Sequence, residues 1–373
     1  MKAKRYLKLL DKGASHLAIL LILFHVLFSA CEKEVEFNSP DVETATNVAL
    51  NAIAVEGEPL RVYLNQTYPV GKEPKMNIGY QYAFTGDDAE MDYQSEQYYK
   101  RTAILNADVQ AVVNGNQTFN LTLTNDSMGY VCEYRPKAND HIVVQAEGIM
   151  VETTLPSKPK IEVLRHEVLA NNPYKQIGTL SYDTDTIMRI TCRINDNGGN
   201  QYYRLRVRGE RKIIVSTNEW SDGVIVDHHN DFAFLLMQDI YFSDDELFVD
   251  NRLSTGFGGW PENFSNVFGN TLISGTGRTF TIDSPKPSAN IGLYDPWTEN
   301  MKKLLDEPDV PARVMVELQA ISPELYRYLK SVELYRVTES DAFSEPVQIY
   351  TNVQNGWGIF GSLSSDRVFI PYD

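Results

Sequence analysis

Cysteine and histidine are both scarce in this chain: three and six residues among 373. No cysteine pair has zinc-ligand spacing, so a zinc finger or ribbon is excluded. The G-x-S-x-G elbow and the phosphate-binding P-loop are also missing, and with them the usual sequence signals of acyl transfer and nucleotide hydrolysis. Positive charge is in short supply, 34 Lys and Arg against 50 Asp and Glu, for a net charge of −16. So acidic a surface repels phosphate backbones, which rules out nucleic acid as a partner. No repeat of 20–50 residues is visible, so a propeller or solenoid is not expected. What is present is a 43% hydrophobic and 11% aromatic composition, ample for a buried core. The length favours two domains over one.

Long apolar runs are confined to the N-terminus. Lys2, Lys4, Arg5, Lys8 and Lys12 precede Leu17–Phe28, an apolar stretch interrupted only by His25 and followed by Ser29-Ala30-Cys31. This resembles a bacterial lipoprotein signal peptide, with residues 1–30 removed and Cys31 acylated. Leu17–Ala30 would span about 21 Å as a helix, short of a hydrocarbon core of about 30 Å. Two or three acyl chains on Cys31 would bind the lipid bilayer essentially permanently, at about 0.8 kcal/mol per buried CH2. Glu32-Lys33-Glu34-Val35-Glu36 resembles the acidic export tags of surface-exposed lipoproteins, and residues 31–46 read as an acylated tether. Cys132 and Cys192 lie beside apolar strand residues and read as two separately buried thiols; an inter-domain disulfide is the alternative.

The fold is expected to be mainly β. Leu60-Arg61-Val62-Tyr63-Leu64, Phe119–Leu123 and Tyr203–Val207 alternate with a period of two, the pattern of half-buried strands. Asn114-Gly115 and Asn197-Gly198 mark tight turns. Residues 47–157 are expected to form an immunoglobulin-like β-sandwich. Pro156 and Pro159 mark the boundary, and residues 158–373 form a second β-rich domain with one short helix. That helix has Ser322 as its cap, Pro323 at its first position and Glu324 near its positive end. Leu325, Tyr328, Leu329 and Val332 make its apolar face.

Candidate contact residues fall on two long loops. Residues 71–103 carry Tyr80, Tyr82, Tyr98 and Tyr99 among acidic neighbours; residues 254–270 carry Phe257, Trp260 and Phe264 among four glycines. Long loops in compact domains are often functional, and aromatics on them offer rigid contact area at low entropic cost. No catalytic residue, metal site or cofactor is assigned. His166-Glu167 lacks the second histidine of a zinc-protease helix, since position 170 is Ala. Asp227-His228-His229 reads as a polar turn, because adjacent strand histidines point to opposite faces. Ser243-Asp244-Asp245-Glu246 and Asp183-Thr184-Asp185 lack EF-hand spacing.

With these motifs placed, the chain resembles the Bacteroidota lipoproteins grouped as domain of unknown function family 4249. The residues carrying this are Cys31–Glu34, Glu58–Leu64 with Tyr68-Pro69-Val70, Tyr202–Leu205, Phe242-Ser243-Asp244, Ile321–Leu329, Glu345-Pro346-Val347 and Asn352–Gly361. The resemblance implies an outer-membrane lipoprotein, often encoded near TonB-dependent transporters, with no established reaction. In its most specific stretch, Asn355-Gly356 permits a left-handed turn, Gly358 and Gly361 allow close backbone approach, and Trp357, Ile359 and Phe360 are expected to fill the core. The expectation is therefore a non-enzymatic, surface-exposed lipoprotein that captures a ligand or serves a TonB-dependent transporter. An envelope hydrolase acting on glycan or peptide, or an adhesive surface subunit, are the alternatives.

Overall fold

The structure, a computed structural model, describes residues 48–67, 102–125, 129–170, 182–195, 198, 200–212, 215–217, 225–227, 232–234, 241–253, 264–273, 275, 277–287, 312–338 and 347–371. All lie in one compact unit, Thr46–Asp373. The signal segment, Cys31 and the tether lie outside the described residues.

The expected β-rich class is what forms. Seven strands come from the first half: β1 (Val48–Val55), β2 (Leu60–Gln66), β3 (Val109–Val113), β4 (Gln117–Leu123), β5 (Tyr130–Cys132), β6 (His141–Ala146) and β7 (Ile149–Thr154). The second half supplies β8 (Ile161–Leu169), β9 (Tyr182–Ile194), β10 (Tyr202–Lys212), β11 (Val215–Thr217), β12 (Ile225–Asp227), β13 (Phe232–Phe234), β14 (Val267–Gly269), β15 (Arg278–Pro287), β16 (Ala312–Ile321), the helix α1 (Pro323–Thr338) and β17 (Trp357–Pro371). Twelve strands join in one network, in the order β13-β10-β16-β17-β1-β2-β5-β4-β3-β6-β7 with β14 on β10. A separate sheet has the order β15-β9-β8, and β11 pairs with β12.

Alternation explains the strands. In β2, Leu60, Val62 and Leu64 are buried while Arg61 is exposed; in β10, Tyr203, Leu205 and Val207 are fully buried. One face of each strand therefore meets a core. Turn chemistry sets the register. Asn114 and Gly115 take φ of +51° and +70° and join β3 to β4, with Val113 opposite Gln117. Glu147 and Gly148, at +49° and +78°, join β6 to β7 with Ala146 opposite Ile149. Left-handed pairs of this kind match the twist of a hairpin.

The C-terminal strand ties the two halves together. β17 runs parallel to β1, with Ala52 opposite Phe360, and antiparallel to β16, with Val316 opposite Val368. Its buried serines also meet β7 and the residues just after it. Ser362 Oγ donates to the Thr154 carbonyl and Ser364 Oγ to the Pro156 carbonyl, both at 2.8 Å. The N-terminal strands thus curl round until β7 returns to β17. Two cores result. Leu50, Val62, Val109, Ile142, Val151 and Phe360 belong to the first; Ile190, Tyr203, Phe248, Phe280, Val316 and Ile370 belong to the second. Cys132 lies in the first and Cys192 in the second, both as free buried thiols. Burial pushes the Cys192 thiol up to about 12, so neither its protonation nor its position suits disulfide chemistry.

Candidate functional site

Of the expected contact residues Phe264 is the one among the described residues; the end of its expected loop is the strand β14, Val267–Gly269, and the structure shows how the segment is held. Val249 and Phe264 form an isolated antiparallel bridge, and the Ser265 N–H donates to the Phe248 carbonyl at 2.8 Å. The residues on either side of 254–263 are therefore fastened to one another. Phe264 meets Tyr241 edge-on at 5.1 Å and stacks on Phe248 at 5.8 Å, so its ring joins the second core. Tyr80, Tyr82, Tyr98, Tyr99, Phe257 and Trp260 lie outside the described residues.

Beneath this bridge sits a polar cluster that periodicity gave no reason to expect. Lys330, from α1, places Nζ 2.6 Å from Asp250 Oδ2, 2.7 Å from Ser265 Oγ and 3.1 Å from Glu333 Oε2. Three oxygens thus take the three N–H groups of an ammonium. Asp250 also receives both Arg252 Nε and a terminal Arg252 nitrogen, at 2.9 and 2.7 Å. The Arg252 hydrogen bonds hold the Asp250 carboxyl well below the usual range, against the opposing effect of burial and with help from Lys330. Burial pushes Glu333 the other way, upward, and Lys330 and Ser265 only partly offset it. Asp250 precedes the 254–263 segment and Ser265 follows it, so one helix side chain clamps both stems. The sequence signal was modest: Lys330 and Glu333 stand three apart on a helix, the spacing of an intrahelical ion pair.

A serine 2.7 Å from a lysine resembles a nucleophile and its base, but the surroundings give this pair another role. Ser265 is buried. Its hydroxyl accepts from the Val267 N–H at 3.1 Å and from Lys330, and reaches Glu333 Oε2 at 2.8 Å. Lys330 Nζ donates to the Ser265 hydroxyl instead of accepting from it, and the same nitrogen is paired with both Asp250 and Glu333, whereas a general base must accept the serine proton. The arrangement ties Asp250 and Ser265, one from each stem, to the same side chain of α1.

The C-terminal motif is likewise built for backbone geometry. Asn355 has φ +59° and Gly358 φ +104°; a Cβ on Gly358 would stand 2.0 Å from the Leu50 carbonyl oxygen. Only glycine fits there. Asn352 mimics a strand partner, its Nδ2 donating to the Phe360 carbonyl at 2.9 Å while its Oδ1 accepts the Phe360 N–H at 3.0 Å. Ile359 and Phe360 are buried as expected, but Trp357 is not: it is 49% exposed. Farther along the strand Gly361 lies against Leu325 of α1, whereas Trp357 is the strand's first residue. Gly356, Gly358 and Gly361 also have the letter spacing of a dinucleotide fingerprint. Here the spacing leads into the strand β17 instead of opening a helix, so it lacks the helix N-terminus that binds a pyrophosphate.

The other motifs take structural places. His166-Glu167 lies exposed on β8, a strand and not a metalloprotease helix. Asp245 caps a 3-10 turn through the Leu247 N–H at 2.9 Å and pairs with Arg278 at 2.7 Å. Ser243 donates to the Thr281 carbonyl at 2.7 Å. Asp227 is in β12, and His228 and His229 lie outside the described residues. No group of three metal-type side chains occurs among the described residues, and none of their helices is long and apolar enough to cross a membrane. A second polar cluster lies on the large sheet. Glu317 of β16, 1% exposed, takes Arg367 Nε at 2.7 Å, with an Arg206 terminal nitrogen at 3.9 Å and Gln319 Nε2 at 3.1 Å.

Comparison with known proteins agrees with the motifs. The model of a domain of unknown function, DUF4249, matches residues 32–367. The chain belongs to this family. No curated protein matches it. One similar solved structure, of a protein from Corynebacterium diphtheriae described as membrane anchored, has 9% identity and a TM-score of 0.17. The alignment covers 74% of this chain and 55% of that one, so this family member spans about half that protein's length. At that score the likeness carries no argument.

Proposed function

We propose that this DUF4249 chain is an outer-membrane lipoprotein, anchored in the lipid bilayer through acylated Cys31 and facing the cell exterior. On this reading it works by binding, without turnover, as a ligand-capture protein or an accessory of a TonB-dependent outer-membrane transporter. The observation that carries the reading is the clamped base under residues 254–263. Lys330, Asp250, Ser265 and Glu333 commit four polar side chains to fixing the stems of a segment that contains Phe257 and Trp260. Binding residues are characteristically carried on loops that a rigid scaffold positions. The basic and apolar N-terminus before Cys31, and the acidic run after it, supply the anchor and the address.

Affinity isolation of the full-length acylated protein from gently solubilised outer membranes tests this. A stoichiometric TonB-dependent barrel is the expected companion. Recovery of the lipoprotein alone would remove the accessory role. Deleting residues 255–262 is expected to abolish the association and to leave the thermal transition in place, since the bridge and clamp remain. Association that survives the deletion would move the contact elsewhere.

A further inference from the structure

The sheet β15-β9-β8 ends on β8, which pairs only with β9 among the described residues. β8 is long for an edge strand, nine residues, and exposed along most of its length: Leu164 through Val168 are all exposed. Two of these are large and apolar, Leu164 at 50% and Val168 at 43%. An edge of this kind is a template for a further strand, and proteins usually blunt it with short length, lysines or proline. β8 has a register shift between Val163 and Arg165 but no lysine or proline.

Its sequence complements itself. About His166, Val163-Leu164-Arg165-His166-Glu167-Val168-Leu169 is complementary to its own reverse: apolar residues match apolar ones and Arg165 matches Glu167. Laid antiparallel on a second β8 with His166 opposite His166, Arg165 of each copy faces Glu167 of the other. Leu164 then faces Val168, and Val163 faces Leu169. Opposite charges and apolar pairs directly across an antiparallel ladder are the stabilising combinations, and like charges across it are not. Sliding the register by a single position, so that Leu164 faces Glu167 and Arg165 faces His166, loses both ion pairs and sets Glu162 against Leu169. Arg165 is suitably placed: its Nε is held by Thr191 Oγ1 at 3.2 Å, which leaves its terminal nitrogens to reach across. The pairing obeys the two-fold symmetry of an isologous dimer.

We propose that β8 is a self-association edge, joining two copies of this chain through an antiparallel β8–β8 ladder centred on His166. The three-stranded sheets of the two copies then become one six-stranded sheet. The inference concerns a surface separate from the 254–263 stems and stands whether or not the accessory reading holds.

Charge reversal tests it. The detergent-solubilised full-length protein is expected to sediment as a dimer. Arg165→Glu alone and Glu167→Arg alone each place like charges across the ladder and are expected to weaken the dimer at least tenfold. Combining them restores opposite charges and is expected to restore the dimer. The three variants alter only exposed side chains, and unchanged thermal transitions will show that they fold. In membranes, His166→Cys is expected to give a disulfide-linked dimer, because strand partners lie within bridging distance and Cys132 and Cys192 are buried. A wild-type monomer throughout a concentration series would overturn the proposal. So would single variants that stay dimeric, or a double variant that does not recover.

Discussion

The two cores are of similar extent but are built differently. The first is lined by small and β-branched residues, among them Ala52, Ala54, Ala111 and Ala146, with Tyr130 and Phe360 as its buried rings. The second contains Tyr203, Tyr241, Phe248, Phe268 and Phe280. Phe248 is its hub, touching Tyr241, Phe264, Phe268 and Phe280 at 5.4–5.8 Å between ring centres. The polar groups differ as well. Beside the first core the buried set is mostly neutral: Asn65, Thr102, Thr153, Ser362 and Ser364, with Asp140 the exception. Beside the second, Arg208, Asp283 and Glu317 are buried. Regular strands joined by tight turns can approach closely and suit small side chains, whereas the second core must fill the space between a sheet and irregular segments. Large rings do that.

If the second region depends on buried charge, Glu317→Ala should be the most damaging single change. The carboxylate lies between Arg367 and Arg206 at 1% exposure, and breaking such a pair from one side costs about 3–5 kcal/mol. Denaturant unfolding measures it. A loss below about 1 kcal/mol would show that this region's charges are dispensable, and the contrast between the regions would narrow to ring content.

The rings and the aliphatic side chains can be weighed against each other in the same way. Phe248→Ala is expected to cost about 3–5 kcal/mol and Leu60→Ala, in the first core, about 2–5 kcal/mol. More informative is which transition each one moves. Phe360 of β17 belongs to the first core and Ile370 of the same strand to the second, so one strand spans both. Both variants should therefore shift a single cooperative transition. Two transitions, each sensitive to one variant, would mean that the cores unfold separately despite the shared strand.

The same difference decides what was legible in the sequence. The first core is made of strands whose alternation is visible, and the Asn114-Gly115 turn that sets their register is local. So is the start of α1, where Ser322 Oγ accepts the Leu325 N–H at 3.3 Å. The second core takes Tyr241, Leu247, Phe248 and Ile273 from irregular segments and 3-10 turns, where no period exists to be read. Phe264 could be noticed as an aromatic on a long loop, but not that it stacks on Phe248. The clamp has the same difficulty in sharper form. Lys330 and Asp250 are 80 residues apart and meet only because β17, β16 and β10 bring α1 beside the stems. Trp357 resembles a core residue because its neighbours Ile359 and Phe360 are, but the cover over a strand's first residue comes from segments distant in sequence, which periodicity does not show.

Acid should separate the regions by a smaller margin. Asp140, near the first core, is opposed by burial, yet hydrogen bonds from Tyr134, Asn114 and the Lys137 N–H hold its carboxyl below the usual range. A carboxyl depressed in the folded chain contributes stability that is present above its unfolded value, about 4, and is lost as the pH falls through the folded one. Asp140→Asn should therefore lower the unfolding midpoint at pH 7 and flatten its decline in acid, by about 1 kcal/mol or less. The clamp behaves differently because its carboxyls move in opposite directions. Asp250 is depressed and follows the same sign as Asp140. Glu333 is raised by burial, so it costs stability at neutral pH, and that cost is relieved as falling pH protonates it. Glu333→Gln should then raise the midpoint at pH 7 relative to acid, the reverse of Asp140→Asn, when both are followed by thermal unfolding from pH 7 to about pH 3. Two variants that respond to acid with the same sign would mean that Lys330 compensates Glu333 fully, and the clamp would then differ from the first region in architecture but not in its response to pH.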